Sequence, residues 1–569
     1  MFFLSFALST HAQESPRFIQ ESSQYAQESP KYEMRAVWLT TIGGIDWPRN
    51  HQKAKQQEEL RQTLDQLKRA GINTVLFQAR VRATTIYPSS EPWDACLTGF
   101  LGKNPGYDPL QFCIDECHKR GMQLHAWVVT IPIGKWNKAG CVQMRKKYPQ
   151  MVVKIGEDGF MNPEYPGTAD YLARCCREIV ERYDVDGIHL DYIRYPETWP
   201  KPTVAKARKG RKKAKQVASK SPAERRECIT NIVRAIHHEV KARKPWVMLS
   251  CSPVGKYDDL TRYRSGGWNA RTAVSQDAQQ WLKEGLMDAL FPMMYFRDNH
   301  FFPFAIDWQE RSYGRIVVPG LGIYFLDPRE GRWELSDVTR QMYVSRQLGQ
   351  GHCYFRSKFL LDNVKGIYDT ACRFDCTPAL TPPMTWLTDE VPAPPEKLMA
   401  QEGKLYWKTA SEDREDEDYI LYNVYASEEY PVDISKAENI VATRLRQTSI
   451  CLDMEGHKQS AYNYAVTAMN RYGVESDAAQ LLMNAGPRYA KPAISITDGQ
   501  HIMLPKKPST LDASYAIIET LAGQQIAVRP YREDRPVDVS QLPEGIYQLR
   551  ALGRKGRNHR IGFFAIKRK

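Results

Sequence analysis

An α/β fold, a (β/α)8 barrel of the TIM type followed by small all-β C-terminal domains, is the class the sequence predicts. Three observations predict it. Between residue 34 and about residue 360, short apolar runs alternate with amphipathic stretches eight times over. Those runs are continuously apolar, as strands covered on both faces must be. Past a Pro-rich segment the pattern changes to period two, the mark of half-exposed antiparallel strands. At 569 residues the chain also exceeds what one ordinary core organises.

The first strand is "MRAVWLTT" (34–41), and "QEELRQTLDQLKRAG" (57–71) is an amphipathic helix ended by Gly71. "INTVLFQAR" (72–80) is the second strand, followed by the helix "DPLQFCIDECHKRG" (108–121). "QLHAWVVT" (123–130) is the third, and the helix "ADYLARCCREIVERY" (169–183) leads into the fourth, "DGIHLD" (186–191). A helix around 223–243 precedes "WVMLSCSPV" (246–254), and "AQQWLKEG" (278–285) precedes "MDALFPMMYF" (287–296). "RIVVPGLGIYF" (315–325) is the seventh strand; the helix "LSDVTRQMYVSRQLG" (335–349) leads into "GHCYFRS" (351–357), the eighth. An open doubly wound sheet would want a Gly-rich phosphate loop after strand one, and "TTIGGIDWP" is a poor match to one.

Five segments follow. Residues 1–31 are a truncated signal peptide and tail, 32–375 the barrel with a basic insert at 201–220, and 376–398 a Pro-rich linker. Residues 399–488 form a β-sandwich, and 489–569 a small β-rich domain. "MFFLSFALSTHAQESP" has the apolar run and small-residue site of a secretory signal without a basic start. The expectation is therefore export, to the periplasm or the cell surface. No run of about 18 apolar residues marks a membrane span.

The net charge is +13, but nine Lys or Arg and no acid fall between Lys201 and Lys220, and without them the charge is +4. The basicity is local and contains no aromatic residue for base stacking, so no nucleic-acid partner is expected. It reads as a solvated loop, or as a handle for an anionic polymer. Twelve Cys do not make a disulfide scaffold in a chain this long, and no spacing resembles a zinc site, so no metal or cofactor is expected.

In such a barrel the C-terminal strand ends converge on one mouth. This sequence places there Trp38, Gln78, Arg80, Trp93, Trp127, His189, Arg194, Tyr295, Asp298 and Tyr324 as substrate-binding candidates. Aromatic faces with carboxylate, guanidinium and imidazole edges suit a sugar ring. Glycoside hydrolysis needs two carboxyl groups, an acid and a nucleophile or base. Asp191 at the tip of strand four is the first; its alternative reading is a structural Asp paired with Arg194. Glu91, between Ser90 and the wall of Pro92 and Trp93, is the second, preferred over Asp298 and Asp327.

"MRAVWLTTIGGIDWP", "VRATTIYPSSEPWDACLTG", "PGYDPLQFCIDECHKRGMQLHAWVVTIPIG" and "VDGIHLDYIRYP" resemble the bacterial glycosyl-hydrolase-like family 10 over roughly residues 32–360. The resemblance implies a TIM-like barrel, export, and hydrolysis of a glycan, peptidoglycan strands being one substrate. By motif, Asp191, Arg80, Trp127 and Glu91 match positions the family pattern emphasises; the basic insert departs from it. "YILYNVYAS" with "YAVTAMNRYGVES" resembles a fibronectin type III module. The expected partner is a polysaccharide or oligosaccharide, with a non-catalytic carbohydrate-binding barrel as the alternative.

Overall fold

The computed structural model describes residues 29–199, 220–263, 266–410, 418–452 and 462–483, and in the C-terminal part 495–497, 500–504, 513–520, 524–532, 535–553 and 558–568. The signal-like segment and nearly all of the basic insert lie outside the described residues. The chain divides into one unit up to Met483 and a second from Asn484 to Lys569.

Eight parallel strands form the barrel: β1 (Arg35–Leu39), β2 (Thr74–Arg80), β3 (Gln123–Val129), β4 (Gly187–Asp191), β5 (Met248–Cys251), β6 (Ala289–Leu290), β7 in two pieces (Ile316–Val317 and Gly320–Leu321) and β8 (His352–Tyr354). The broken β7 closes the ring. Its first piece pairs with β6 (Ile316 opposite Ala289) and its second with β8 (Gly320 opposite Cys353), while β8 pairs with β1 (Arg35 opposite His352).

Around the ring lie α1 (Lys53–Arg69), α2 (Pro109–Lys119), α3 (Gly167–Arg182), α4 (Pro222–Lys241), α5 (Ala278–Lys283), α6 (Phe302–Glu310), α7 (Leu335–Gln347) and α8 (Ile367–Phe374). Their starts follow capping chemistry. Asp108 accepts from the amides of Leu110 and Gln111 ahead of α2, and Ser221 and Glu224 form a reciprocal capping box on α4. The helix α6 has no counterpart in the sequence reading. "FPFAIDWQE" is too apolar for an amphipathic signal, because Phe304, Ala305 and Trp308 are all buried.

Two apolar layers follow from the strand period. Ala36, Trp38, Leu76, Trp127, Met248 and Phe291 fill the barrel interior, and a larger cluster fills the space between strands and helices. Gly187 at the start of β4 is required by close approach: a Cβ there would lie 2.6 Å from the His125 ring. The Asp-Gly of the fourth strand thus makes room for an imidazole of the third.

The N-terminal end of the barrel is closed by the Pro-rich segment. Met384 belongs to the interior cluster, Thr381 Oγ1 accepts from Gln123 Nε2 at 3.1 Å, and Trp386 Nε1 donates to Asp288 Oδ1 at 3.1 Å. Against the same end sits a seven-stranded sandwich. One sheet is made of Glu396–Gln401, Lys404–Lys408 and Ser449–Cys451, the other of Ile440–Leu445, Leu421–Ser427, Asn463–Met469 and Ala479–Leu481. Arg444 pairs with buried Asp186; Arg446 and Arg471 reach Asp184 at 2.6 and 2.9 Å. The second unit has a five-stranded sheet with its own core of Ile518, Tyr547, Leu549 and Phe564.

Candidate active site at the barrel mouth

Asp191 is the last residue of β4 and points into the barrel, 6% exposed. Three donors hold its carboxylate: Trp127 Nε1 to Oδ2 at 3.1 Å, Ser252 Oγ to Oδ1 at 3.0 Å and the Tyr192 amide to Oδ1 at 2.7 Å. The last is possible because Tyr192 adopts a left-handed conformation, φ 53°, which turns its N–H back on the preceding side chain. Burial pushes the Asp191 carboxyl above the usual range, and the three donors and the Arg194 charge oppose it. Arg194 does not pair with it. Among the described residues no cation lies within 4.0 Å of Asp191, so the structural ion-pair reading of this residue fails.

Beneath Asp191 the interior is filled by buried side chains. Trp38 Nε1 donates to His189 Nε2 at 3.2 Å, and His189 Nδ1 lies 3.0 Å from Ser250 Oγ. An Nε2 that accepts leaves the proton on Nδ1, and burial lowers the pKa of the ring well below its ordinary value, so His189 is neutral. Trp38 stacks edge-on with Phe291 and Phe355. Both Trp38 and His189 are enclosed, and this corrects their expected place among the sugar-contacting groups: they form the floor under Asp191. Trp127, 3% exposed, likewise acts through the carboxylate.

The second carboxylate is displaced. A register shift between Gln78 and Arg80 on β2 turns Arg80 to the helix side of the sheet. There its Nε and Nη2 lie 3.2 Å from the Glu91 carboxylate, and Tyr171 and Cys175 of α3 complete the surround. Arg80 is wholly buried, and its Nη1 donates to the Val129 carbonyl at 2.5 Å. Asp191 looks inward and Glu91 outward, so the structure does not bring them together; Arg80 and Glu91 are a buried pair holding β2 to α3.

The remaining expectations separate in the same way. Gln78 uses its Oε1 to accept the amides of Thr41 and Ile42, bracing the loop after β1. Trp93 packs half-buried on the outer core. Asp298 is exposed and pairs with Arg340 of α7 at 3.3 Å, and Asp327 is bound by Arg329 at 2.6 Å. Tyr295 and Tyr324 do line the interior side of the mouth, 5.6 Å apart at right angles. The Tyr295 hydroxyl is buried with no hydrogen-bond partner, and burial, together with the nearby Asp191 charge, raises its pKa well above the ordinary value. Arg194 lies at the rim against the rings of Tyr192 and Trp268, its Cζ 4.9 and 5.3 Å from their centroids.

Two contributors escaped the sequence reading. Trp268, 41% exposed, was signalled only by an aromatic following two glycines. Asp46, in "GIDWP", is buried against Arg356 and accepts from the Thr40 amide at 3.0 Å, tying the loops after β1 and β8 together. One cluster has metal-ligand chemistry: Glu33, His352 and Asp375 converge at the opposite end of the barrel. Arg346 contacts both carboxylates at 2.7 Å, and Arg35 reaches them at 2.7 and 3.1 Å. Two guanidiniums already balance the two acids, which makes this a buried ion-pair network.

A (β/α)8 barrel with an acidic strand-four tip under aromatic walls is of the glycosidase-like class. The glycosyl hydrolase-like 10 family matches residues 33–324, and the chain belongs to that family. It is similar to glycosyl hydrolase YngK of Bacillus subtilis (strain 168), 28% identical over 478 residues covering 79% of this chain and 92% of that protein. It is also similar to glycosyl hydrolase DigH of Escherichia coli (strain K12), 32% identical over 289 residues, 46% of this chain and 65% of that one. Among solved structures, the PgaB (BpsB) glycoside hydrolase domain of Bordetella bronchiseptica aligns with TM-score 0.42 and 16% identity, over 60% of this chain and 98% of that one.

Proposed function

We propose that the protein is an exported glycoside hydrolase that cleaves glycosidic bonds of a polysaccharide, either peptidoglycan glycan strands or a dietary or host glycan. One observation carries the reading: Asp191 stands at the mouth as a buried carboxylate held by three donors and by no cation. Such a group keeps its charge available to a developing oxocarbenium ion. Family membership supports it, and the names of the two relatives point the same way. The signal-like N-terminus supports export. The three-stranded and four-stranded sheets of the sandwich support the fibronectin type III reading, and we read the module as a spacer.

A second reading has its own observation. Among the described residues no other carboxylate shares a hydrogen bond with Asp191, and Glu91 is committed to Arg80. A barrel with one working carboxylate would be a non-catalytic carbohydrate-binding protein. Reducing-end release by wild type and Asp191→Asn, on peptide-free peptidoglycan strands and a polysaccharide panel, separates the two. Release that the folded variant lacks supports the hydrolase; release by both removes Asp191 from the chemistry; release by neither favours the binding protein.

A further inference from the structure

We infer that the rim of the mouth is a carboxylate-binding subsite built on Arg194, so that the glycan it takes is an acidic one. This rests on the glycan reading of the mouth and adds to it the charge of the ligand. The starting point is a contrast among buried arginines. Arg35, Arg80, Arg346 and Arg471 each lie within 3.2 Å of a carboxylate oxygen. Arg194 is 8% exposed, yet no ion pair or side-chain hydrogen bond to it exists among the described residues, and its Nε is buried without an acceptor. Burying a guanidinium N–H without an acceptor is costly, and the barrel does so with Arg194 Nε at its open end.

Geometry says what the missing acceptor is. The Arg194 guanidinium lies against the rings of Tyr192 and Trp268, with Cζ 4.9 and 5.3 Å from their centroids. Cation–π contact of this kind contributes about 0.5–2 kcal/mol and fixes the plane of the group. A ring contact engages the face of a guanidinium and leaves its edge for a hydrogen-bond acceptor. The edge presents parallel N–H groups, the fork that a carboxylate matches with two bonds. The rings are 43% and 41% exposed, so a sugar lying across them brings its substituents to that edge. Arg82, after β2, adds a second positive charge near Tyr192, with the acid Glu197 also close, and Arg82 has no ion pair among the described residues. Asp191 is already supplied with three donors and does not compete for Arg194.

A sugar carboxylate comes from a lactyl ether, as in muramic acid, or from a uronic acid. The test reads binding in the full-length protein, by tryptophan fluorescence or calorimetry, for wild type and Arg194→Gln. Muramic-acid-containing strands are compared with chitin oligosaccharides, which share the backbone without the lactyl group. Hyaluronan oligosaccharides are compared with their carboxyl-reduced form. Wild type is expected to bind one acidic ligand at least tenfold more tightly than its neutral counterpart, and the pair that shows the preference identifies the source. In Arg194→Gln the preference disappears while neutral binding stays. Equal binding of acidic and neutral ligands by wild type overturns the proposal, as does a preference that survives in Arg194→Gln or a failure to bind either acidic ligand. Loss of neutral binding as well would assign Arg194 to holding the rings and overturn it too. Because turnover is not read, failure of the hydrolase reading in the reducing-end assay leaves this result standing.

Discussion

Trp127 Nε1 donates to Asp191 Oδ2 at 3.1 Å, across two neighbouring parallel strands and inside the barrel. The donor is as deeply enclosed as the acceptor, and this bond acts with those from Ser252 and the Tyr192 amide against the burial that favours the neutral acid.

Trp127→Phe keeps the packing and removes the donor. The Asp191 pKa then rises further, and the acid limb of the pH–activity profile moves to higher pH. A hydrogen bond to a charged group contributes about 1.5–3 kcal/mol, so the upward movement should be resolvable in the profile. A profile that stays in place would show that Trp127 does not govern the charge of Asp191.

Glu91→Gln tests the displaced carboxylate. Removing it leaves the Arg80 charge buried without its counter-ion, which costs about 3 kcal/mol of stability. Chemical denaturation should show that loss, while glycan turnover per folded molecule stays near the wild-type value. A variant of normal stability and no turnover would return Glu91 to the chemistry.

Tyr295→Phe removes a buried hydroxyl that has no hydrogen-bond partner among the described residues. A buried hydroxyl left unsatisfied costs about 1–3 kcal/mol, so the variant should melt at the same temperature as wild type or higher. Glycan binding should weaken, because the hydroxyl faces the region of Asp191. A lower melting temperature would mean that the phenol is bonded after all.

The sandwich contact has a definite acid response. Arg444, His118 and the Leu124 amide hold Asp186 far below the usual carboxylate range. A depressed folded pKa gives stability that is complete above the unfolded value of about 3.9 and is lost as pH falls toward the folded one. Arg444→Ala should therefore cost about 3 kcal/mol at pH 7, the low end for a broken buried pair because His118 remains. The difference should shrink below about pH 4 in thermal unfolding followed across pH.

The barrel was legible in the sequence because strands covered on both faces are continuously apolar and because Gly71 and Gly121 end their helices with left-handed turns. Asp191 was legible as the polar end of an apolar strand. Arg80 and Glu91 were not. A strand read by strict alternation sends Arg80 inward, and only the shift after Gln78 reverses it. Trp38 and His189 looked like mouth residues because periodicity gives the face of a strand and not the depth along the barrel axis. Strand six was overread: "MDALFPMMYF" keeps only Ala289–Leu290 as regular strand, since Pro292 offers no amide for the ladder.

Met384, Thr381 and Trp386 shut the lower end of the barrel. The cup is consequently blind: whatever reaches Asp191 and whatever departs use one doorway, and a long chain has to lie across the opening because it cannot thread the ring. If the protein cleaves a glycan as proposed, arrival of the next strand is thereby coupled to clearance of the last, and a fragment slow to leave would inhibit the next turnover.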